Sequence, residues 1–261
     1  MTERASREEA ARKAPVGELR LRIPDAGADY LAGALDNPAL TEEHVILIAK
    51  SPAASSEILR RIGENKTWLR SYAVKRAIVC HPKSPQALAM SLVKFLFWRD
   101  LHLVSDDQFT FPPLRIQAEK ALLDRLPQLA LGEKMTLGRM SGRAVIPRLL
   151  IDKSPMVVEA VLWNGRLTSQ ELISLIGDQR TAPDALTQIA RHPRWSNRAE
   201  IRTALAHNPR TPLAISLGLL GNMTERDLTA LAEDPYTPQV LKLTCRRLLV
   251  EAARKRGQKG S

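Results

Sequence analysis

The chain has 261 residues, 44% of them hydrophobic but only 4% aromatic, with a formal net charge of +11. That is enough aliphatic residue for a sizeable core, packed chiefly by Leu, Ala and Ile. No stretch approaches 18 uncharged apolar residues, which excludes a transmembrane helix. The N-terminus, charged from Glu3 to Lys13 with no apolar run, does not read as a secretory signal.

In chain order the first feature is a charged segment, residues 1–25, expected to be a weakly ordered tail. Residues 26–125 read as a first helical copy. Turn signals recur at Asn37-Pro38, Ser51-Pro52, Asn65-Lys66 and His81-Pro82. Between them, apolar residues fall at helical spacing: Val45, Ile46, Ile48 and Ala49, then Ile58, Leu59 and Ile62, then Val74, Ala77 and Ile78, then Leu88, Leu92 and Val93. A proline holds the residue before it extended and so ends the preceding helix. Thr41, Ser84, Thr168, Thr211 and Thr237 stand where a hydroxyl caps the next helix, and Pro85, Pro212 and Pro238 follow at the first helical position. No period-2 strand pattern occurs. The expected fold class is all-α, an α-solenoid of short stacked helices.

Residues 126–157 read as a helical connector, residues 158–253 as a second copy, and residues 254–261 as a basic C-terminal tail. The second copy carries turn signals at Asn164-Gly165, Asp178-Gln179, His192-Pro193 and Asn208-Pro209. A shift of 127 residues aligns the copies without a gap. Asn37 then falls on Asn164, Trp68 on Trp195, Pro82 and Pro85 on Pro209 and Pro212, and Arg99-Asp100-Leu101 on Arg226-Asp227-Leu228. Twenty of the 95 aligned positions are identical. Such a register points to two tandem copies of a unit of about 95 residues. Leu40, Ile46, Ile62 and Leu92, with Leu167, Ile173, Ile189 and Leu219, are the expected core.

The Asn37-Pro38-x-Leu40-Thr41, His81-Pro82-Lys83-Ser84-Pro85 and Asn208-Pro209-Arg210-Thr211-Pro212 turns resemble the variant leucine-rich repeat, a family that belongs with HEAT-like α-solenoids. The resemblance covers most of residues 31–250 and implies an architecture rather than an activity. Some members of that family carry a cysteine-rich iron–sulfur segment. This chain has two cysteines, Cys80 and Cys245, far apart, so no cofactor is implied. They fit reduced, buried thiols, and a cytoplasmic location is expected.

The charge is unevenly spread. Residues 31–125 carry thirteen basic against ten acidic side chains, and residues 158–252 carry eleven against ten. Basic character recurs at matched places in the two copies: Lys75 with Arg202, Lys83 with Arg210, and Arg99 with Arg226. Such a ladder suits a phosphate backbone or an acidic peptide. The same residues read equally as solvated helix positions, with Arg99-Asp100 and Arg226-Asp227 as local ion pairs. Trp68 and Trp195, with Arg70 and Arg198 close by in sequence, are candidate binding residues. A tryptophan at a helix start serves either as a stacking platform or as packing. The basic tail reads either as extra affinity for nucleic acid or anionic lipid, or as a solubilising segment.

None of the five histidines sits in a metal-binding spacing, and no phosphate-cradling Gly loop, Cys-x-x-Cys or Gly-x-Ser-x-Gly motif occurs. The leading expectation is a non-enzymatic interaction scaffold for a protein or acidic peptide. The alternative is a nucleic-acid-binding solenoid that uses the Lys/Arg ladder, and a HEAT-like DNA glycosylase is a remote third.

Overall fold

The computed structural model describes residues 3–178 and 181–259. Residues 1–2 of the expected N-terminal tail, Gln179 of the Asp178-Gln179 signal, and residues 260–261 of the basic tail lie outside that range. Among the described residues the structure is helical, with no strand, and no helix is long and apolar enough to cross a membrane. The chain divides into two compact units, Met1–Pro127 and Gln128–Ser261.

The first unit holds α1 (Glu3–Lys13), α2 (Val16–Arg22), α3 (Ala28–Ala34), α4 (Glu42–Lys50), α5 (Ser56–Glu64), α6 (Tyr72–Val79), α7 (Gln86–Val93), α8 (Trp98–Asp106) and α9 (Pro112–Arg125). The second holds α10 (Leu131–Met140), α11 (Ile146–Leu150), α12 (Pro155–Leu162), α13 (Ser169–Gly177), α14 (Pro183–Arg191), α15 (Ala199–His207), α16 (Leu213–Leu220), α17 (Glu225–Glu233) and α18 (Gln239–Lys259). Most helices span two or three turns, too short to be stable alone. Each gains its stability by burying one face. In the second unit the packing runs α10 on α12, α11 on α13, α12 on α14, and α13 on α15. In the first, α1 packs on α3, α4 on α6, and α7 on α9.

Residues 1–25, expected to be a weakly ordered tail, instead hold α1 and α2. The charges that suggested a tail sit at helical spacing, pairing Arg4 with Glu8, Arg7 with Glu3, and Lys13 with Glu9. Ala11, Leu19 and Ile23 are fully buried, while Val16 and Leu21 stay exposed. At Gly33 of α3 the backbone of α1 comes so close that a Cβ would overlap the Glu8 carbonyl. The expected connector, residues 126–157, falls almost wholly in the second unit, where α10 packs on α12. The expected basic tail continues α18 through Lys259, and Arg256 pairs with Glu225 at 2.7 Å.

The turns between helices share one construction. At Asn37, Ser51, His81, Asp107, Asn164, His192, Asn208 and Asp234, the backbone carbonyl accepts from the N–H three residues on. The side chain of the same residue accepts from the N–H two residues on: Asn37 from Ala39 at 2.8 Å, His81 from Lys83 at 3.0 Å, Asn164 from Arg166 at 2.8 Å and Asn208 from Arg210 at 2.7 Å. These are Asx-type turns, with the histidine Nδ1 in the place of a side-chain oxygen. No residue in the described chain needs a positive φ, so each helix stops without a left-handed glycine.

The other end of the same side chain reaches back about one helical pair. Asn37 Nδ2 donates to the Ala11 and Ala14 carbonyls, both at 2.8 Å. Asn164 Nδ2 donates to Gly138 at 2.8 Å and Ser141 at 3.0 Å. His81 Nε2 meets Ser51 O at 3.0 Å, and Asn208 Nδ2 donates to Ile176 O. A single buried side chain thus shapes its own turn and fastens an earlier one.

Several expected caps are different in detail. Thr168 caps α13 and shares a reciprocal capping box with Glu171. Thr41 does the same for α4 with the His44 ring, Nδ1 lying 3.2 Å from the Thr41 amide. Thr211, expected to cap α16, instead donates to Leu205 O of the helix behind, because Pro212 takes the N-cap position. Pro85 likewise displaces Ser84 at α7.

Ile62, Leu92, Leu167, Ile189 and Leu219 are buried as expected, but Leu40, Ile46 and Ile173 are half-exposed. In α4 the inward stripe is His44, Val45, Ile48 and Ala49, which turns Ile46 aside. Cys245 is buried but Cys80 is exposed, against the expectation of two buried thiols.

Ile62→Ala and Ile189→Ala should each cost about 2–5 kcal/mol in urea unfolding, and Ile46→Ala clearly less. Equal losses at the three positions would contradict this core. His192 adds a pH dependence. Its burial, reinforced by Arg194, holds the imidazole below its ordinary range. The unfolded chain therefore takes up this proton at a higher pH than the folded protein. The stability from this source is present above about pH 6.5 and is lost as pH falls through the folded-state value. His192→Asn keeps the acceptor for the Arg194 amide without the titration. It should flatten the fall of the urea midpoint between about pH 7 and 5; an unchanged slope would assign the effect elsewhere.

Candidate functional site

The ten residues singled out from sequence do not share one role. Trp195 is fully buried, and its indole N–H donates to Leu162 O at 2.8 Å. Arg194 and Arg198 lie over its ring, at 4.5 and 4.9 Å from the centroid. Of the two readings, stacking platform or packing, that placement favours packing. Trp68 is half-buried in a 3-10 turn, Trp68–Arg70.

Several cations serve the turns. Lys83 Nζ donates to Pro52 O at 2.7 Å, Arg202 to Ser196 O at 3.3 Å, and Arg198 to Ser169 Oγ at 2.6 Å. Arg198 also lies 3.8 Å from Glu200. The backbone N–H of Arg210 closes the Asn208 turn. Arg70 and Arg226 are exposed and form no ion pair among the described residues. The local Arg99–Asp100 ion pair that the sequence allowed does not form; the Arg99 guanidinium lies 5.2 Å from the Trp98 ring centroid. Asp100 is held instead by Arg76, at 2.7 Å, and by the Tyr72 hydroxyl. Burial, then the hydrogen bond to Asp100, push the Tyr72 phenol up to about 12, so it stays a donor at neutral pH.

Lys75 is the one ladder residue that leads to a clustered surface. Its ammonium stands 5.1 Å from the centroid of the Phe95 ring, and that of Lys94 stands 5.2 Å from it. Phe95 and Phe97 flank Leu96 in the turn between α7 and α8. Leu96 is fully buried, while Phe95 is 49% and Phe97 61% exposed. The turn is fixed on both sides. Arg125 donates to the carbonyls of Lys94 and Leu96, and the Phe97 amide donates to the Tyr72 hydroxyl at 3.1 Å. The Phe97 ring stacks on Tyr72, with centroids 4.1 Å apart. Two large apolar rings are thereby held out in water, Phe95 between Lys75 and Lys94, with Arg99 two residues on from Phe97 in sequence.

This arrangement has a local cost. Phe97 is the N-cap residue of α8 and makes no side-chain cap bond. Thr224, 127 residues on, caps α17 by accepting from the Asp227 amide at 3.2 Å. A Thr or Ser at an N-cap is worth about 1 kcal/mol over a residue that cannot accept. The other residues that build the surface are also missing 127 positions on, where Tyr72, Arg76, Lys94, Phe95 and Arg125 become Ala199, Thr203, Gly221, Asn222 and Ala252. Sequence reading passed over Phe95 and Phe97, although a signal was there: all four phenylalanines lie between residues 95 and 111, two of them one residue apart beside Lys94.

Among the described residues no three His, Cys, Asp or Glu side chains gather in a way that could hold a metal ion. No protein-family model matches the chain, and neither does any curated protein or solved structure.

Proposed function

We propose that the chain is a non-enzymatic interaction scaffold for an anionic partner, an acidic protein or peptide being the first reading. In this proposal the scaffold is an α-solenoid of variant leucine-rich repeat type, made of two copies of one unit. Helix starts support the duplication: 28, 42, 56, 72, 86, 98 and 112 in the first unit recur as 155, 169, 183, 199, 213, 225 and 239 in the second, each 127 later. The Asn37 and Asn164 contacts support a unit of about 127 residues rather than 95, since Ala11 and Ala14 recur as Gly138 and Ser141 in the same bonds. The packing of helices on the next but one is what a two-layer stack requires.

One observation carries the anionic partner. Lys75, Lys83, Arg99 and Arg202 direct their charge at carbonyls and aromatic rings, which leave it uncancelled. A surface rich in such cations raises the local concentration of an anion and speeds its association. Nucleic acid is the second reading, favoured by the exposed rings beside Lys75 and Lys94.

Fluorescence anisotropy with a labelled Asp/Glu-rich peptide and with labelled oligonucleotides, at about 50 and 200 mM salt, tests the proposal. At least one polyanion should bind at low salt and weaken steeply as salt rises. Binding of neither at about 50 mM would remove the scaffold reading.

A further inference from the structure

We propose that the surface made by α6 and the α7–α8 turn docks single-stranded nucleic acid, bases stacking on Phe97 and Phe95 while Lys75, Lys94 and Arg99 hold the phosphates. The proposal rests on the anionic-partner reading and names both the class of ligand and its place.

Planarity argues for a base over a peptide side chain. Tyr72 and Phe97 are stacked, and Phe97 remains 61% exposed, so the pair ends in a ring open to solvent. A flat ligand extends such a stack, and every base offers a π-face whatever its sequence. Charge argues for a phosphate chain. Lys75 and Lys94 flank Phe95, and Arg99 follows Trp98 in the same stretch. Asp100, the one carboxylate bonded within this cluster, is already engaged by Arg76 and the Tyr72 hydroxyl. Stacking cations and rings together is the pattern by which single strands are held without sequence preference. A duplex offers no free base faces inside its stack, so unpaired strands are the fitting ligand.

Rigidity argues that the rings stand where they do for a purpose. Arg125 and Tyr72 fix the backbone of residues 94–97, and buried Leu96 anchors it from below. A pre-ordered platform spares the entropy of arranging side chains on binding. The position at Phe97 carries an ordinary threonine cap in the other unit, so the ring is a departure from the local structural optimum, not a requirement of it.

The test uses the full chain and a labelled oligothymidylate of about ten nucleotides, followed by anisotropy at about 50 mM salt. Phe97→Thr restores the cap found at Thr224, and should keep or raise the urea midpoint while weakening binding by about 5- to 100-fold. Phe97→Leu keeps an apolar side chain without a π-face and should weaken binding similarly, whereas Phe97→Trp should preserve it. Oligonucleotide affinity unchanged in both Phe97→Thr and Phe97→Leu would overturn the proposal. So would a wild-type chain that binds the acidic peptide but no oligonucleotide, an outcome that leaves the scaffold reading standing. A chain that binds neither would end both.

Discussion

Four buried polar side chains in the inter-helix turns make two kinds of bond at once, and the packing of the short helices depends on them. Asn37, His81, Asn164 and Asn208 accept a backbone N–H two residues ahead and meet a carbonyl 23 to 32 residues behind. The first bond turns the chain so that the next helix can begin. The second satisfies the carbonyls left open at the end of an earlier helix, which in a buried turn no water would reach. Helices of eight or nine residues have little intrinsic stability, so their position is set by what lies between them. With the turns fixed, the apolar stripes of successive helices meet in register, and aliphatic side chains such as Ile62 and Ile189 make up most of the core.

The same economy explains where the surface is free to vary. Once a turn is fastened from behind, the residues at its tip are released from structural duty. In the α7–α8 turn that freedom is used in an unusual way, because two phenylalanines replace the polar tip. Their support comes from outside the turn, from Arg125 and Tyr72. The matching turn of the other unit keeps its threonine cap and has none of these supports.

Much of the helical framework was legible in the sequence because prolines and Asn, His or Thr at turns act locally. Thr41 marks the start of α4, and Ser84-Pro85 that of α7, within a residue or two. Less legible was anything that depends on a contact far along the chain. Residues 3–25 looked like a tail because charge dominates them, yet three buried apolar positions and the Asn37 clamp bring them into the first unit. Trp195 read in sequence either as a stacking platform or as packing, and only its N–H bond to Leu162 O, 33 residues earlier, shows the ring to be interior. Basic residues were visible as a ladder by spacing alone, whereas their partners were not. Lys83 turned out to brace the Pro52 carbonyl, and Lys75 to flank a phenylalanine that spacing had not marked. Phe95 and Phe97 escaped notice because an exposed ring cannot be told from a buried one in a turn without knowing what holds the backbone.

The central claim is that the turn side chains, more than helix propensity, hold the units together, and Asn164 tests it most directly. It is 1% exposed and serves three backbone groups, the Gly138 and Ser141 carbonyls and the Arg166 amide. Equilibrium urea unfolding of Asn164→Ala, with exposed Asn222→Ala as the control, gives the answer. Two buried carbonyls and a part-buried amide left without this partner should lower stability by about 3 kcal/mol or more, against a change within about 0.5 kcal/mol for the control. An Asn164→Ala variant as stable as the parent would contradict the account.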